Sequence, residues 1–338
     1  MDRRVDLLRV TACFMVVLLH ISALNIHEFG SKWWAANFWD SLSRACVPLF
    51  FMLSGATLLP KAEAISVFLR KRAARILAPL LLWSIFYLWW LDINGVDTGN
   101  WLVAIVRGPT MYHLWYFYAV IGLYMFVPVI RKFYQGATDV ERLYFLGVWF
   151  MVSSVYPAVQ AIYGMSIDRQ CGYMQLGMLA DVYHLQSFSG YIGYMILGAY
   201  LMERRPNARL GFSVFAGSSI LTMFATFALS KWLGTPCEFF FTYFQPLVVV
   251  AAASLYWALL GLAPGKSSSA LRYVSDCTLG VYGLHAFMID PVFMRLGLFQ
   301  VTGVPWVDPL IGAVGVFATC LAIIGLLRWP TPMRHIVG

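Results

Sequence analysis

Long apolar runs separated by short polar or Gly/Pro-bearing breaks recur from one end of the chain to the other. They lie near 5–24, 36–59, 74–93, 111–130, 143–163, 188–203, 210–230, 241–263, 276–299 and 308–328. A helix of about 20 residues crosses a hydrocarbon layer of about 30 Å, and within lipid a helix satisfies all of its own backbone groups. The pattern therefore predicts an all-α polytopic membrane protein with about ten transmembrane helices. The first run holds Arg9 and His20, and no small-residue cleavage site follows a short apolar stretch, so it reads as a permanent span and not as a removable signal peptide.

The breaks orient these spans. With the N-terminus inside, the inner segments carry Arg3, Arg4, Lys61, Arg70, Lys71, Arg72, Arg75, Arg131, Lys132, Arg142, Arg204, Arg205, Arg209, Lys266, Arg272, Arg328 and Arg334, whereas the outer ones carry Lys32, Arg107, Arg169, Lys231 and Arg295. Lys and Arg favour cytoplasmic loops, so both termini are expected in the cytoplasm. Trp33, Trp34, Trp89, Trp90, Trp101 and Trp306 fall at outer ends, where such rings anchor at the membrane interface. The longest outer loop, near 164–187, carries Asp168, Asp181 and His184.

Composition agrees with this picture and narrows the function. The chain is 60% hydrophobic and 12% charged, against about 25% charged in an ordinary soluble domain. Its net charge of +8 would suit a nucleic acid only on a basic face of a soluble module, and no such module is present; the expected surroundings are membrane lipids. No internal repeat or low-complexity segment appears, so residues 1–338 read as a single membrane domain. The cysteines lack metal-type spacing. Cys13, Cys46, Cys277 and Cys320 fall in spans and read as packed thiols, while Cys171 and Cys237 fall in outer loops, where a disulfide is permitted but not dictated.

Charged and imidazole groups inside spans are the informative residues, because each costs roughly 2.5–3.5 kcal/mol near mid-bilayer on insertion scales. They are Arg9 and His20 in the first span, Arg44 in the second, His113 at the outer start of the fourth, and His285 and Asp290 in the ninth. Arg9 and His20 are separated by about three helical turns, which puts them on one face about 16 Å apart, with Asp6 on the same face. Such a stripe is expected to line a polar path between the two sides of the membrane. Arg72 and Arg75 share a face at the cytoplasmic start of the third span, where helix N–H groups and two guanidinium forks would suit a phosphate. Enforcing topology is the other reading of that pair.

Several separated motifs match one known pattern. Val5-Asp6-Leu7-Leu8-Arg9, followed after ten residues by His20, is one; the stretch Arg44–Gly55 (RACVPLFFMLSG), which holds Ser54, is another. Arg72-Ala73-Ala74-Arg75 with Pro79 behind it, His113-Leu114-Trp115-Tyr116, and Leu279-Gly280-Val281-Tyr282-Gly283-Leu284-His285 complete the set. In these residues the chain resembles the acyltransferase 3 family of integral membrane O-acyltransferases over essentially its whole length. It is similar to the standalone bacterial form that O-acetylates surface polysaccharides or their lipid-linked precursors in the inner membrane.

The resemblance implies acetyl-CoA as a co-substrate bound from the cytoplasm, with no permanently held cofactor and no metal. Its phosphates would lie near Arg72 and Arg75, with Arg44 also assigned to substrate or CoA binding. His20 is the natural base: an unperturbed imidazole is largely neutral at pH 7. Arg9 would hold the CoA or order the helix around the base. Asp6, Ser54, His113, Trp115, Tyr282 and His285 would support the site, with packing ahead of chemistry for His113 and His285. Direct transfer and an acetyl-histidine intermediate both remain open. A secondary transporter of a small polar or anionic substrate is the rival class, although the paired broken helices and related halves common in transporters are not evident.

Overall fold

A computed structural model describes residues 2–175, 182–184, 189–262, 264–329 and 333–337. Its helices are α1 (Arg3–Ala23), α2 (Trp33–Ser43), α3 (Cys46–Leu58), α4 (Ile65–Ile93), α5 (Trp101–Arg107), α6 (Trp115–Gly136), α7 (Asp139–Phe150) and α8 (Tyr156–Asp168). They continue as α9 (Ile192–Met202), α10 (Ala208–Leu233), α11 (Pro246–Leu262), α12 (Ser269–Phe287), α13 (Asp308–Leu327) and the short α14 (Met333–Ile336). Among the described residues nine helical segments are long and apolar enough to cross a membrane, and the run expected at 188–203 is the shorter α9. The protein is therefore an all-α, multi-pass membrane protein. Residue 188 and Asp181 lie outside the described residues.

Three of the expected spans are interrupted, and proline accounts for each interruption. A proline inside a helix clashes with the carbonyl four residues earlier. Pro48 has that relation to Arg44, where the second span breaks into α2 and α3; Pro157 has it to Ser153, inside the π-helical Met151–Val155 between α7 and α8; and Pro291 has it to Phe287, where α12 gives way to the π-helical Met288–Met294. The third span differs in another way. Its helix starts at Ile65 and not near residue 74, so Arg72 and Arg75 lie about two to three turns inside it. The unpaired N–H groups of a helix belong to its first turn, so the backbone half of the expected phosphate site is absent there, and the two guanidinium groups remain.

α1 stands at the centre, against α2, α3, α12 and α13. In its most apolar stretch 61% of residues are buried, against 28% for α10 and α13, which present most of their surface outward. α9 crosses α3 backbone to backbone: a Cβ on Gly55 would sit 1.9 Å from the Met195 carbonyl oxygen, and one on Gly198 would sit 2.1 Å from that of Met52. Small residues allow such an approach where lipid offers no hydrophobic drive to pack helices. This explains how a helix as short as α9 is held inside the bundle.

The polar ends separate into two faces. On one, Arg3 N donates to Gly265 O (3.0 Å), Arg131 Nε to Leu58 O (3.1 Å) and Arg142 Nη1 to Glu203 Oε2 (3.1 Å), while Arg204 pairs with Asp139 at 2.6 Å. Lys71 bonds to Glu63 at 2.6 Å and holds its carboxyl below the usual range. On the other face Trp39 Nε1 donates to Trp306 O (2.9 Å), and His27 meets Glu238 at 3.1 Å. There Cys171 and Cys237 form a disulfide, a pairing that the sequence left open. Cys13, Cys46, Cys277 and Cys320 are buried and free.

Candidate active site

Three imidazoles meet where α1, α12 and the turn Tyr112–Leu114 converge. His20, in the last turn of α1, stacks on His285 of α12 with ring centroids 5.2 Å apart, and His113 approaches His285 edge-on at 4.9 Å. Tyr112 packs edge-on against His20 at 5.1 Å. The α12 backbone is held open beside them by Tyr87 of α4, whose hydroxyl donates to Gly283 O (2.8 Å) and accepts from Phe287 N (3.1 Å). The π-helical segment follows directly, and such irregular turns inside helices recur at functional sites.

Backbone carbonyls determine the tautomers of two of the rings. His113 Nε2 lies 3.3 Å from Gly283 O and His285 Nδ1 lies 2.6 Å from Tyr282 O. A carbonyl only accepts, so those nitrogens carry the protons, and in neutral rings His113 Nδ1 and His285 Nε2 present bare lone pairs. Both bare nitrogens are buried without a hydrogen-bond partner, an arrangement that asks for a hydroxyl-bearing or water-like donor. His113 and His285 are 1% and 0% exposed, whereas His20 is partly accessible. His20 and His113, with Cys46, Trp115, Tyr116, Tyr243 and Tyr282, line a cavity of about 10 Å³, room for one water-sized group. Tyr282 closes it by donating its hydroxyl to the His113 carbonyl.

A second polar group lies nearer the basic face on the same helix. Arg9 Nη1 donates to Ser275 Oγ (3.1 Å), which donates to Asp6 Oδ1 (2.8 Å); Arg9 and Asp6 are 4.0 Å apart. Asp6 is fully buried and its Oδ2 has no partner. Between the two groups, Tyr124 donates to Ser54 Oγ (3.3 Å), and Tyr116, whose ring lines the His20 cavity, stands within electrostatic reach of Tyr124. Polar side chains thus lie between Arg9 and His20 in an otherwise apolar interior. Arg75 stands within electrostatic reach of Arg9. Arg72 lies beside Phe68, its Nε buried without a partner.

The residues expected at the site therefore fall into three places. His20, His113, Trp115, Tyr282 and His285 form one cluster; Asp6, Arg9 and Ser54 lead away from it; Arg72 and Arg75 stand at the basic face. Arg44 stands outside the cluster, toward the opposite face but within electrostatic reach of His20: its guanidinium grips both oxygens of buried Asp40, with the Nη2–Oδ2 contact at 2.8 Å, and stacks 4.5 Å from the Phe241 ring centroid. Tyr87, Tyr112, Tyr116, Tyr243 and Ser275 join the site without having been expected. Tyr116 closes the His113-Leu114-Trp115-Tyr116 motif and Tyr112 precedes it, so both were within reach of the sequence; Tyr87, Tyr243 and Ser275 carried no signal. Among the described residues no cluster of His, Cys, Asp and Glu is placed to hold a metal ion.

No curated protein and no solved structure matches the chain. A family model described as an acyltransferase domain does match it, over residues 2–328, and so takes in all of the site residues above. With its histidine cluster inside a multi-helix membrane bundle, the chain belongs to the acyltransferase 3 family and is a membrane-embedded acyltransferase.

Proposed function

We propose that the protein acts as one membrane domain that moves an acetyl group from acetyl-CoA, bound at the cytoplasmic face of a bacterial inner membrane, to a hydroxyl of a cell-surface glycan or its lipid-linked precursor on the other side. The observation that carries this reading is the set of polar side chains lying between Arg9, which is within electrostatic reach of Arg75, and the partly accessible His20. A purely structural bundle has no use for a set so costly to bury.

In this reading the CoA phosphates lie on Arg72 and Arg75, Arg9 holds the cofactor arm or its helix, and the thioester reaches the cavity at His20. His20 takes the proton from the acceptor hydroxyl as the oxygen bonds to the acetyl carbon. The carbon–sulfur bond then breaks, and the CoA thiolate leaves and collects a proton. Stacking on His285, whose own proton is committed to the Tyr282 carbonyl, holds the His20 ring in place. Arg44, bound to Asp40, fixes the α2–α3 corner whose Cys46 lines the cavity.

The test is transfer of label from [1-¹⁴C]acetyl-CoA to glycan by the purified protein, read as base-labile ester. Uptake of substrate into vesicles with no ester formed would instead indicate a transporter. Replacing both Arg72 and Arg75 by alanine is expected to raise the apparent KM for acetyl-CoA by about tenfold or more, because hydrogen bonds between charged groups are lost, with acceptor affinity nearly unchanged. An unaltered KM in the correctly inserted double variant would return both arginines to a topological role.

A further inference from the structure

Asp290 is a carboxylate in a membrane span to which the transfer chemistry above gives no work. It lies in the π-helical Met288–Met294, just past the His285 turn, and is only partly buried. Among the described residues it has neither a hydrogen-bond nor an ion-pair partner. A carboxylate at such a position ordinarily has one or serves a function. Its electrostatic neighbours are Tyr112 and Tyr87. Tyr112 is unusual in turn. Its ring touches His20, yet 46% of its surface is exposed on the face opposite the basic one.

We infer that Tyr112 and Asp290 form the acceptor subsite at the outer mouth of the His20 cavity, and that it takes a neutral pyranose unit bearing adjacent hydroxyls. This rests on the glycan acceptor proposed above. An exposed aromatic face offers an apolar platform to the C–H side of a sugar ring. An ionised carboxylate only accepts hydrogen bonds and has two oxygens to do so, which fits a pair of neighbouring hydroxyls. Tyr112 packs against His20 itself, so a ring stacked on that platform presents a further hydroxyl to the imidazole. A sugar carrying phosphate or carboxylate at this position meets like charge at Asp290 and is disfavoured. His113 lines the same cavity, and its bare, buried nitrogen adds an acceptor for the entering hydroxyl.

The test uses sealed inverted membrane vesicles containing the full chain, the native glycans of the membrane as acceptor and [1-¹⁴C]acetyl-CoA as donor. Asp290→Asn keeps shape and removes charge, and is expected to lower base-labile label on glycan by about tenfold or more, with CoA binding within about twofold of wild type as the measure of an intact fold. Tyr112→Ala is expected to do the same, while Tyr112→Phe keeps the platform and restores transfer. Asp290→Asn labelling glycan at the wild-type rate would overturn the subsite while leaving the glycan acceptor in place. Loss of CoA binding in step with transfer would also overturn it, in favour of a structural role, as would failure of Tyr112→Phe to exceed Tyr112→Ala. Wild-type vesicles that label no glycan would overturn the acceptor class and the subsite together.

Discussion

His20→Ala is expected to lower acyl transfer by about 10²–10⁴-fold, the usual loss when a general base is removed, while the protein still inserts and still binds CoA. The separation of effects follows from geometry. His20 meets Tyr112 and His285 at the histidine cluster, whereas the arginines assigned to the CoA phosphates stand at the basic face. Single-turnover transfer and equilibrium CoA binding, measured on the same preparation, check the prediction. A residual rate within about threefold of wild type is incompatible with base catalysis by this ring. If His113→Ala lost activity while His20→Ala kept it, the base would be His113, which lines the same cavity as His20 and whose Nδ1 has no hydrogen-bond partner.

The second large effect concerns the frame around the site. Gly55→Val is expected to cost about 3 kcal/mol or more, the upper end of overpacking in a close-packed interior, and to deplete folded protein in the membrane. The added Cβ would lie 1.9 Å from a backbone oxygen of α9, so no side-chain rotation relieves the clash and α3 has to move. α3 carries Ser54 and, at its start, Cys46 and Val47 of the His20 cavity, so activity should fall along with stability. Gly217→Val is the control, because nothing lies within 4 Å of a Cβ there. Yield of monodisperse protein and thermal midpoint in one detergent measure both; equal behaviour of the two variants would mean that the α3–α9 crossing is not this close.

Much of this architecture could be read in the sequence because membranes penalise exceptions. Apolar length marks the spans, and charged or imidazole groups inside them stand out by their cost, which is why Arg9, His20, His113, His285 and Asp290 were found. Tyr87 and Tyr243 were missed for the same reason: tyrosine has a largely apolar body and costs little to bury, so it gives no contrast within a span. The extension of α4 back to Ile65 was hidden because that stretch is rich in Lys and Arg, which lowers hydropathy without preventing a helix. The prolines behind the three interruptions were visible, but their effect on a span depends on neighbours that hydropathy does not describe. The Cys171–Cys237 bond and the Arg44–Asp40 pair illustrate opposite cases. The first depends on a distance between loops far apart in the chain; the second is an (i, i+4) pair on one helix and was legible in principle.

The central claim is that the acetyl donor and the acceptor hydroxyl meet at His20 from opposite sides of the membrane. Its most direct test is sided. Sealed inverted vesicles expose the cytoplasmic face, and [1-¹⁴C]acetyl-CoA, which does not cross the bilayer, is added outside. Base-labile label should then appear on glycan that is protected inside the vesicles, and should be absent from vesicles carrying His20→Ala. Label appearing only when acetyl-CoA is enclosed within the vesicles, or only on acceptors exposed on the same side as the donor, would contradict the account.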